Sequence, residues 1–184
     1  MQIKRLVLHR SAILLTVCVL VISGCTGVPK GVKPVESFEL QQYLGTWYEI
    51  ARLDHPFERG LSRITATYSL NNDGGVNVLN RGYNAEDREW NEAKGRAYFV
   101  GDSDVGHLKV SFFGPFYASY VIMALDHDDY QYALVTGPDR DYLWLLARRP
   151  DIDAKVIDKL VATAKEQGYA TEDLIWVEHL TTEK

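Results

Sequence analysis

The residues best suited to chemistry in this chain are its histidines and the carboxylates near them. His55 precedes Glu58 by three positions, His107 stands apart, and His127 lies within the acidic run Asp126–Asp129. Such pairs can support general acid–base catalysis. These residues lie at predicted strand ends and turns, however, and none has a partner at metal-site or nucleophile-elbow spacing. The acidic run also lacks the glycine and distant glutamate of an EF-hand loop. The pattern favours a protein that is neither an enzyme nor a metal-binding protein.

Cys25 is the other chemically distinctive residue, because it ends the motif Ile22-Ser23-Gly24-Cys25. A basic start and the apolar run Ser11–Ile22 precede it, which together predict a secretory signal. The run is too short for a membrane-spanning helix, which needs about 20 residues. The motif is similar to the bacterial lipobox, in which the cysteine is acylated and becomes the new N-terminus. Thr26, where Asp would retain the protein in the inner membrane, indicates outer-membrane sorting. The alternative is an uncleaved anchor.

This motif predicts a lipoprotein signal peptide over residues 1–24 and a lipid anchor on Cys25, on the periplasmic side of the bacterial outer membrane. More than one acyl chain on the cysteine makes such anchoring stable. The other cysteine, Cys18, lies inside the signal, so the exported chain has no pair to oxidise. The exported fold must therefore be stable without disulfides.

The charge of the exported chain argues against nucleic acid as a partner. Three of the 20 basic residues and none of the 25 acidic residues lie in residues 1–24, which leaves 17 against 25 and a formal charge of −8. An acidic body is repelled by phosphate backbones and by anionic lipid surfaces. The predicted link to the membrane is therefore covalent rather than electrostatic.

The elements that must position these residues are mostly strands. Residues 25–36 carry Pro and Gly and predict a lipidated, flexible tether, and residues 37–180 form one domain. Ile64–Leu70 alternates strictly between apolar and hydroxyl side chains, and Asn71–Gly75 is a strong hairpin turn. Eight strands follow one another from Gly45 to Arg149, which predicts an all-β, eight-stranded antiparallel up-and-down β-barrel. One α-helix, capped by Asp153, is expected to pack on the outside.

Alternation along the strands predicts which side chains face the barrel interior. Lys109 must face solvent, so Leu108, Val110 and Phe112 face inward, and Gly95, Ala97 and Phe99 share a face by the same parity. Small inward residues leave space that aromatic residues would line, although a fully packed barrel fits the composition equally well. The candidates for contact with an interior ligand are Ala66, Tyr68, Ala97, Phe99, Leu108, Val110, Phe112, Tyr142 and Trp144.

Three motifs in order resemble the signatures of the lipocalin family. The first is the Gly45–Arg52 stretch with Gly45-Thr46-Trp47, the second runs from Leu125-Asp126 to Tyr130, and the third is Arg148 at the end of the eighth strand. The likeness covers about residues 38–177 and is strongest to the apolipoprotein D-like subgroup, which includes bacterial outer-membrane lipoproteins. Leu125 stands where Thr is usual in the second motif, a departure that leaves the fold unaffected.

The resemblance implies roles for these residues and a ligand. Trp47 is expected to plug the closed end of the barrel with Arg148 across its ring, a structural contact. The open end is expected to admit a fatty acid or lysophospholipid, held without a cofactor or metal. The implied function is that of a carrier that stores or transports such lipids for outer-membrane maintenance.

Two further hypotheses remain open from the sequence. The protein could be an envelope scaffold or assembly lipoprotein that binds no ligand, in which case the barrel interior would be filled. A homodimer is known in the subgroup that the chain resembles, and we carry it as a possible partner arrangement.

Overall fold

The computed structural model describes residues 26–179, in which eight long strands follow one another along the chain. The predicted eight-stranded antiparallel up-and-down barrel is confirmed. The strands are β1 (Gly45–Arg52), β2 (Leu61–Leu70), β3 (Val76–Asn84), β4 (Glu89–Phe99), β5 (His107–Phe113), β6 (Phe116–Leu125), β7 (Tyr132–Thr136) and β8 (Leu143–Ala147). A single helical turn, α1 (Leu40–Tyr43), precedes β1.

The sheet closes on itself because β1 pairs with both β2 and β8. Every consecutive pair of strands is antiparallel, as short hairpin connections require. Closure removes the free edges that an open sheet of this length would expose. The interior therefore holds one core, to which β1–β8, α1 and the residues before it contribute.

A second core lies between the outer face of the barrel and the helix α2 (Ala154–Glu166), as the sequence predicted. The Asp153 side chain accepts a hydrogen bond of 2.8 Å from the Lys155 backbone N–H and caps the helix. Leu160 and Ala164 on its apolar face are buried. Gly168, with a φ of 83°, ends the helix in the left-handed conformation.

Residues 26–36, which we call the N-terminal strap, lie along the outside of the barrel. The sequence predicted a flexible tether here, and the structure corrects that expectation. Val32 is buried in the outer core, and Val35 makes backbone hydrogen bonds to Gly106 and Ile122 at 2.8 and 2.9 Å. Arg140 donates to the Lys30 carbonyl at 2.7 Å. The valines and these bonds hold a Pro- and Gly-containing segment whose composition alone indicates a loop.

The C-terminal segment fills the gap that opens where β1 and β2 diverge. After a 3-10 turn (Thr171–Asp173), the short strand β9 (Ile175–Trp176) pairs with the end of β1. The backbone N–H of Arg63 then donates to the carbonyl of Glu178 at 2.8 Å. The segment therefore completes the barrel wall on that side. Among residues 26–179, no helix is both long enough and apolar enough to span a membrane.

Candidate functional site: the barrel cavity

The barrel encloses a cavity of about 730 Å³. Its lining runs from Phe38 and Tyr43 at one end of the barrel to Phe57, Phe113 and Phe116 at the other. The three phenylalanines at the second end are exposed, Phe113 to 83% of its surface, so this end is the mouth. Most of the lining side chains are apolar or aromatic, which suits an apolar guest of small-molecule size.

The closed end is sealed by a stack of side chains around Trp47. Trp47 is fully buried, its indole N–H donates to the Tyr43 carbonyl at 2.8 Å, and the two rings lie 4.7 Å apart. The guanidinium of Arg148 lies 4.0 Å from the centre of the Trp47 ring. It also donates to the carbonyls of Gln42, Thr46 and Tyr130 at 2.6, 3.1 and 3.2 Å. One arginine therefore ties together α1, β1 and the β6–β7 turn.

Gly45 and the β6–β7 turn make this seal possible. Gly45 has a φ of 96°, and a Cβ there would lie 3.3 Å from an Arg148 nitrogen. In the turn, the Tyr130 backbone N–H donates to the Asp126 carbonyl at 3.0 Å, and the Asp126 carboxylate accepts from Gln131 N–H. The Tyr130 hydroxyl in turn accepts from Glu39 N–H at 2.9 Å. These contacts are structural, since none of the residues reaches the cavity lining.

Three tyrosine hydroxyls form the only extended polar group that we find on the floor of the described cavity. The hydroxyl of Tyr120 lies 2.8 Å from those of both Tyr43 and Tyr68. Burial raises the pKa of all three phenols, so they remain neutral. Each phenol carries one proton, so the two contacts leave one hydroxyl proton for another acceptor.

Small residues flank Val110 of β5 on both sides in the cavity wall. Val110 pairs with Ala97 of β4 and with Ala118 of β6, and all three residues line the cavity. Further along β4, a Cβ on Gly95 would lie only 2.9 Å from ring atoms of Phe112. Glycine at that position therefore admits the Phe112 ring, and the alanines leave the open space.

Four polar side chains form a buried group on the wall between the floor and the mouth. We call Glu49, Arg52, His55 and Glu58 the charge cluster. The Glu58 carboxylate is 2.9 Å from His55 Nε2 and 3.5 Å from Arg52 Nε, and the Glu49 carboxylate is 3.6 Å from the same Arg52 nitrogen. Glu49 and Glu58 line the cavity.

A bulge in β1 brings these residues together. The pairing of β1 with β8 shifts by one residue between Glu49 and Ala51, so Glu49 lies opposite Leu146 and Arg52 lies opposite Trp144. Without the shift, residues three apart on a strand would point to opposite faces. The β1–β2 loop then folds back, and Arg52 donates to the Glu58 carbonyl at 2.9 Å.

The charge cluster is deeply buried and only partly hydrogen-bonded. All four residues are at most 5% exposed. Among residues 26–179, no hydrogen-bond partner lies within reach of Glu49 Oε1, Arg52 Nη1 or His55 Nδ1. Burial and the neighbouring Glu58 carboxylate raise the pKa of Glu49 well above its ordinary value, an effect that Arg52 opposes in part.

Comparison with known families identifies this barrel. The model of the lipocalin-like domain matches residues 38–179, which is most of the chain. The chain is a lipocalin.

Relatives of this lipocalin include bacterial lipoproteins and animal apolipoproteins. It is 56% identical to Outer membrane lipoprotein Blc of Vibrio cholerae, over 91% of this chain and 98% of that protein. It is 53% identical to Outer membrane lipoprotein Blc of Escherichia coli strain K12, over 82% of this chain and 84% of that protein. Mouse apolipoprotein D is 34% identical over 76% of each chain. These relatives agree with the family and subgroup that the sequence resembled.

Solved structures support the fold. Insecticyanin from the tobacco hornworm Manduca sexta superposes with a TM-score of 0.67 at 19% identity, covering 84% of this chain and 87% of that one. At this identity the likeness bears on the fold alone.

The structure brings most of the sequence-predicted site residues of this lipocalin to one cavity. Eight of the nine interior candidates are among the lining residues, namely Ala66, Tyr68, Ala97, Leu108, Val110, Phe112, Tyr142 and Trp144. Phe99 is not among them, because it packs against Phe38 near the closed end, with ring centres 6.1 Å apart. Gly45, Trp47, Asp126, Tyr130 and Arg148 meet at the closed end, and Cys25 lies outside the described residues.

Sequence reasoning missed the charge cluster of this lipocalin. It paired His55 with Glu58 at a strand end or turn, without a partner at metal or nucleophile spacing, whereas the structure buries the pair against Arg52. The available signal was the parity of Glu49, which lies two residues after Trp47 on the same strand and therefore shares its inward face.

The described part of the lipocalin holds no group of three or more residues placed to hold a metal ion. The His55–Glu58 pair is the strongest acid–base arrangement in the cavity wall, and no nucleophilic side chain completes it among the contacts we describe. The family is one of binding proteins, and the absence of catalysis stays a prediction.

Proposed function

We propose that this lipocalin takes the apolar chain of a single lipid into its barrel and stores or transports fatty acids or lysophospholipids at the bacterial outer membrane. The observation that carries the proposal is the 730 Å³ cavity with its largely apolar lining. Pockets of about 300–1,000 Å³ enclose most of the surface of a small ligand.

The energetics support a chain-like guest. Burying a chain of about 15 methylenes at about 0.8 kcal/mol each gives a gross gain of about 12 kcal/mol. Loss of ligand freedom on binding costs several kcal/mol, so the net affinity is expected to be micromolar or tighter. The exposed phenylalanines at the mouth give an arriving chain an apolar surface at the entrance.

The relatives and the lipobox support a location. Relatives that match 81–91% of the chain carry the name outer membrane lipoprotein. Residues Ile22–Cys25 supply the motif for the same anchor in this chain. The proposed anchor is therefore acylated Cys25, with the barrel on the periplasmic side.

An envelope scaffold without a ligand has less support, because a scaffold has no use for an open interior. Homodimerisation stays a prediction, and sedimentation of the purified protein would test it.

The test is lipid capture by a variant without the anchor. We expect Cys25→Ser protein, exposed to a membrane extract and examined by native mass spectrometry, to carry one lipid per barrel. In the same background, Val110→Trp should fill part of the cavity between Ala97 and Ala118 and lower lipid affinity by about 100-fold. Ala162→Trp, which adds the same side chain on the exposed face of α2, is the matched control and should bind as before.

Absence of captured lipid in the Cys25→Ser protein would overturn the proposal. Equal capture by the Val110→Trp variant would place the lipid outside the barrel. Conversion of many lipid molecules per barrel, instead of capture of one, would identify an enzyme.

A further inference from the structure

The charge cluster presents an acidic face to the cavity. Its two carboxylates, Glu49 and Glu58, are lining residues, whereas its two basic members, Arg52 and His55, are not. Arg52 lies behind the carboxylates and donates to the Glu58 backbone carbonyl. At this part of the wall a ligand therefore meets the Glu49 and Glu58 carboxylates before the Arg52 guanidinium. The arginine that does line the cavity, Arg81, is paired with Glu92 at 2.9 Å.

The cluster is also short of positive charge. Two carboxylates share one arginine, since His55 contributes a charge only when protonated. Glu49 is 3% exposed and its Oε1 has no hydrogen-bond partner among the described residues. Burying an uncompensated carboxylate is costly, so this environment favours a protonated Glu49. A cation brought in by the ligand would restore the balance.

Aromatic rings stand beside the Glu58 carboxylate. The Trp144 indole N–H donates to the Glu58 carboxylate at 3.3 Å, and the Trp144 and Tyr142 rings stack with centres 6.0 Å apart. Both rings line the cavity. Carboxylates next to aromatic faces are a combination that attracts ammonium groups, through ion pairing and the electron-rich ring.

We propose that Glu49 and Glu58, with the Trp144 ring, bind the ammonium group of a single-chain amphiphile, so that this lipocalin prefers amine-bearing lipids to free fatty acids. The inference rests on the proposed function, because it names the headgroup of the lipid whose chain occupies the barrel. A fatty acid placed the same way would set its carboxylate against two others and is disfavoured.

The test compares three probes that share one chain and differ in charge. Dodecylamine, dodecanol and laurate displace a fluorescent probe from Cys25→Ser protein, and each affinity is measured near neutral pH. We expect the amine to bind about tenfold more tightly than the alcohol, as one charge-assisted hydrogen bond provides, and laurate to bind more weakly than the alcohol.

Variants that remove the charge of one glutamate test which residue causes the preference for the amine over the alcohol. Glu49→Gln should bring the ratio of amine to alcohol affinity close to one, and Glu58→Gln should lower it. The matched control is Glu166→Gln on the exposed face of α2, which removes the same charge from the protein and should keep the native ratio. Because each result is a ratio to the neutral alcohol, a general loss of binding does not imitate the effect.

The pH dependence of amine affinity is an independent test of the role of Glu49. Amine binding should require ionised Glu49, so amine affinity should rise with pH as Glu49 loses its proton, above the ordinary pKa of 4.5, while alcohol affinity stays constant. The titratable and charged groups around the Glu49 side chain are Arg52 of the same strand, His55 and Glu58 of the β1–β2 loop, and Tyr68 of β2. His179 of the C-terminal segment is 2.7 Å from the Glu49 carbonyl.

Laurate binding as tightly as dodecylamine, or an unchanged ratio in Glu49→Gln, would overturn the ammonium site while leaving chain binding intact. Failure of all three probes to bind would instead overturn the proposed function.

Discussion

The two ends of the barrel differ in how completely their polar side chains are hydrogen-bonded. At the closed end, Arg148 spreads its guanidinium over the Trp47 ring and donates to three carbonyls, and the Trp47 N–H donates to Tyr43. Toward the mouth, Glu49, Arg52 and His55 are more deeply buried than Arg148, yet each retains a polar atom without a partner among residues 26–179.

The difference separates structural residues from binding residues. Buried polar atoms are nearly always paired, so an unpaired group needs a reason of its own. A seal that only stabilises the fold has no reason to leave donors or acceptors free. A wall that receives a ligand can keep them for the ligand, and the cost appears as a lower stability of the empty protein.

Removing the Trp47 side chain, which plugs the closed end, should have the largest effect on stability. We expect Trp47→Ala to lower the free energy of unfolding by about 3–5 kcal/mol, because it leaves a large void in a fully buried site. Urea denaturation measures the change. The control is Trp176→Ala, at a tryptophan that is 52% exposed, which should cost less than about 1 kcal/mol. Similar losses in both variants would contradict a structural plug.

Replacing Arg148 with lysine should have an intermediate effect on stability. Arg148→Lys keeps a positive charge over Trp47 but loses the planar fork that reaches Gln42, Thr46 and Tyr130 at once. We expect a loss of about 2 kcal/mol in the free energy of unfolding, measured in urea, with little change in lipid affinity. A variant that kept its stability and lost lipid binding would move the functional site to the closed end.

Neutralising Glu49 should have the smallest effect, and one of opposite sign. The pKa of Glu49 is raised in the folded state, so the folded protein keeps a proton that the unfolded chain releases above its ordinary pKa of 4.5. Stability is then complete below that pH and falls as the pH rises toward the folded value. We expect Glu49→Gln to be more stable than the native protein by on the order of 1 kcal/mol at neutral pH.

Thermal or urea unfolding of Glu49→Gln and native protein over a pH series would measure this effect. The two stability curves should agree near pH 4.5 and separate above it. Parallel curves would show that Glu49 is ionised in the empty barrel.

Much of the fold could be predicted because its physical cause is local. Alternation in Ile64–Leu70 and the Asn71–Gly75 turn specify a hairpin, and a series of such hairpins leaves few arrangements other than a closed meander. The one-sided apolar stripe of α2 and its Asp153 cap specify an outer helix in the same way. The closed end depended on the family resemblance as well, since nothing local joins Arg148 to Trp47.

The charge cluster could not be predicted from alternation. Counting by twos from Trp47 places Glu49 inside and Arg52 outside, and only the bulge between Glu49 and Ala51 reverses the second assignment. Bulges depend on the packing of neighbouring strands, which a single sequence does not display.

The height of a side chain within the barrel and the packing of the N-terminal strap also could not be predicted from the sequence. Alternation gave the correct face for Phe99 but not its height in the barrel, and height decides whether a side chain lines the cavity or packs under it. The N-terminal strap was missed for a similar reason, because its bonds to Gly106, Ile122 and Arg140 join residues far apart in the chain.

The pairing of the first strand with the last has a thermodynamic consequence for any cargo. The chamber does not exist until β8 meets β1, so no partly assembled form of the chain offers a complete binding space. Whatever occupies the chamber binds the native state alone, and its binding free energy adds to the cooperative stability of the whole molecule. A loaded barrel is therefore harder to unfold than an empty one, to an extent set by the concentration of free lipid.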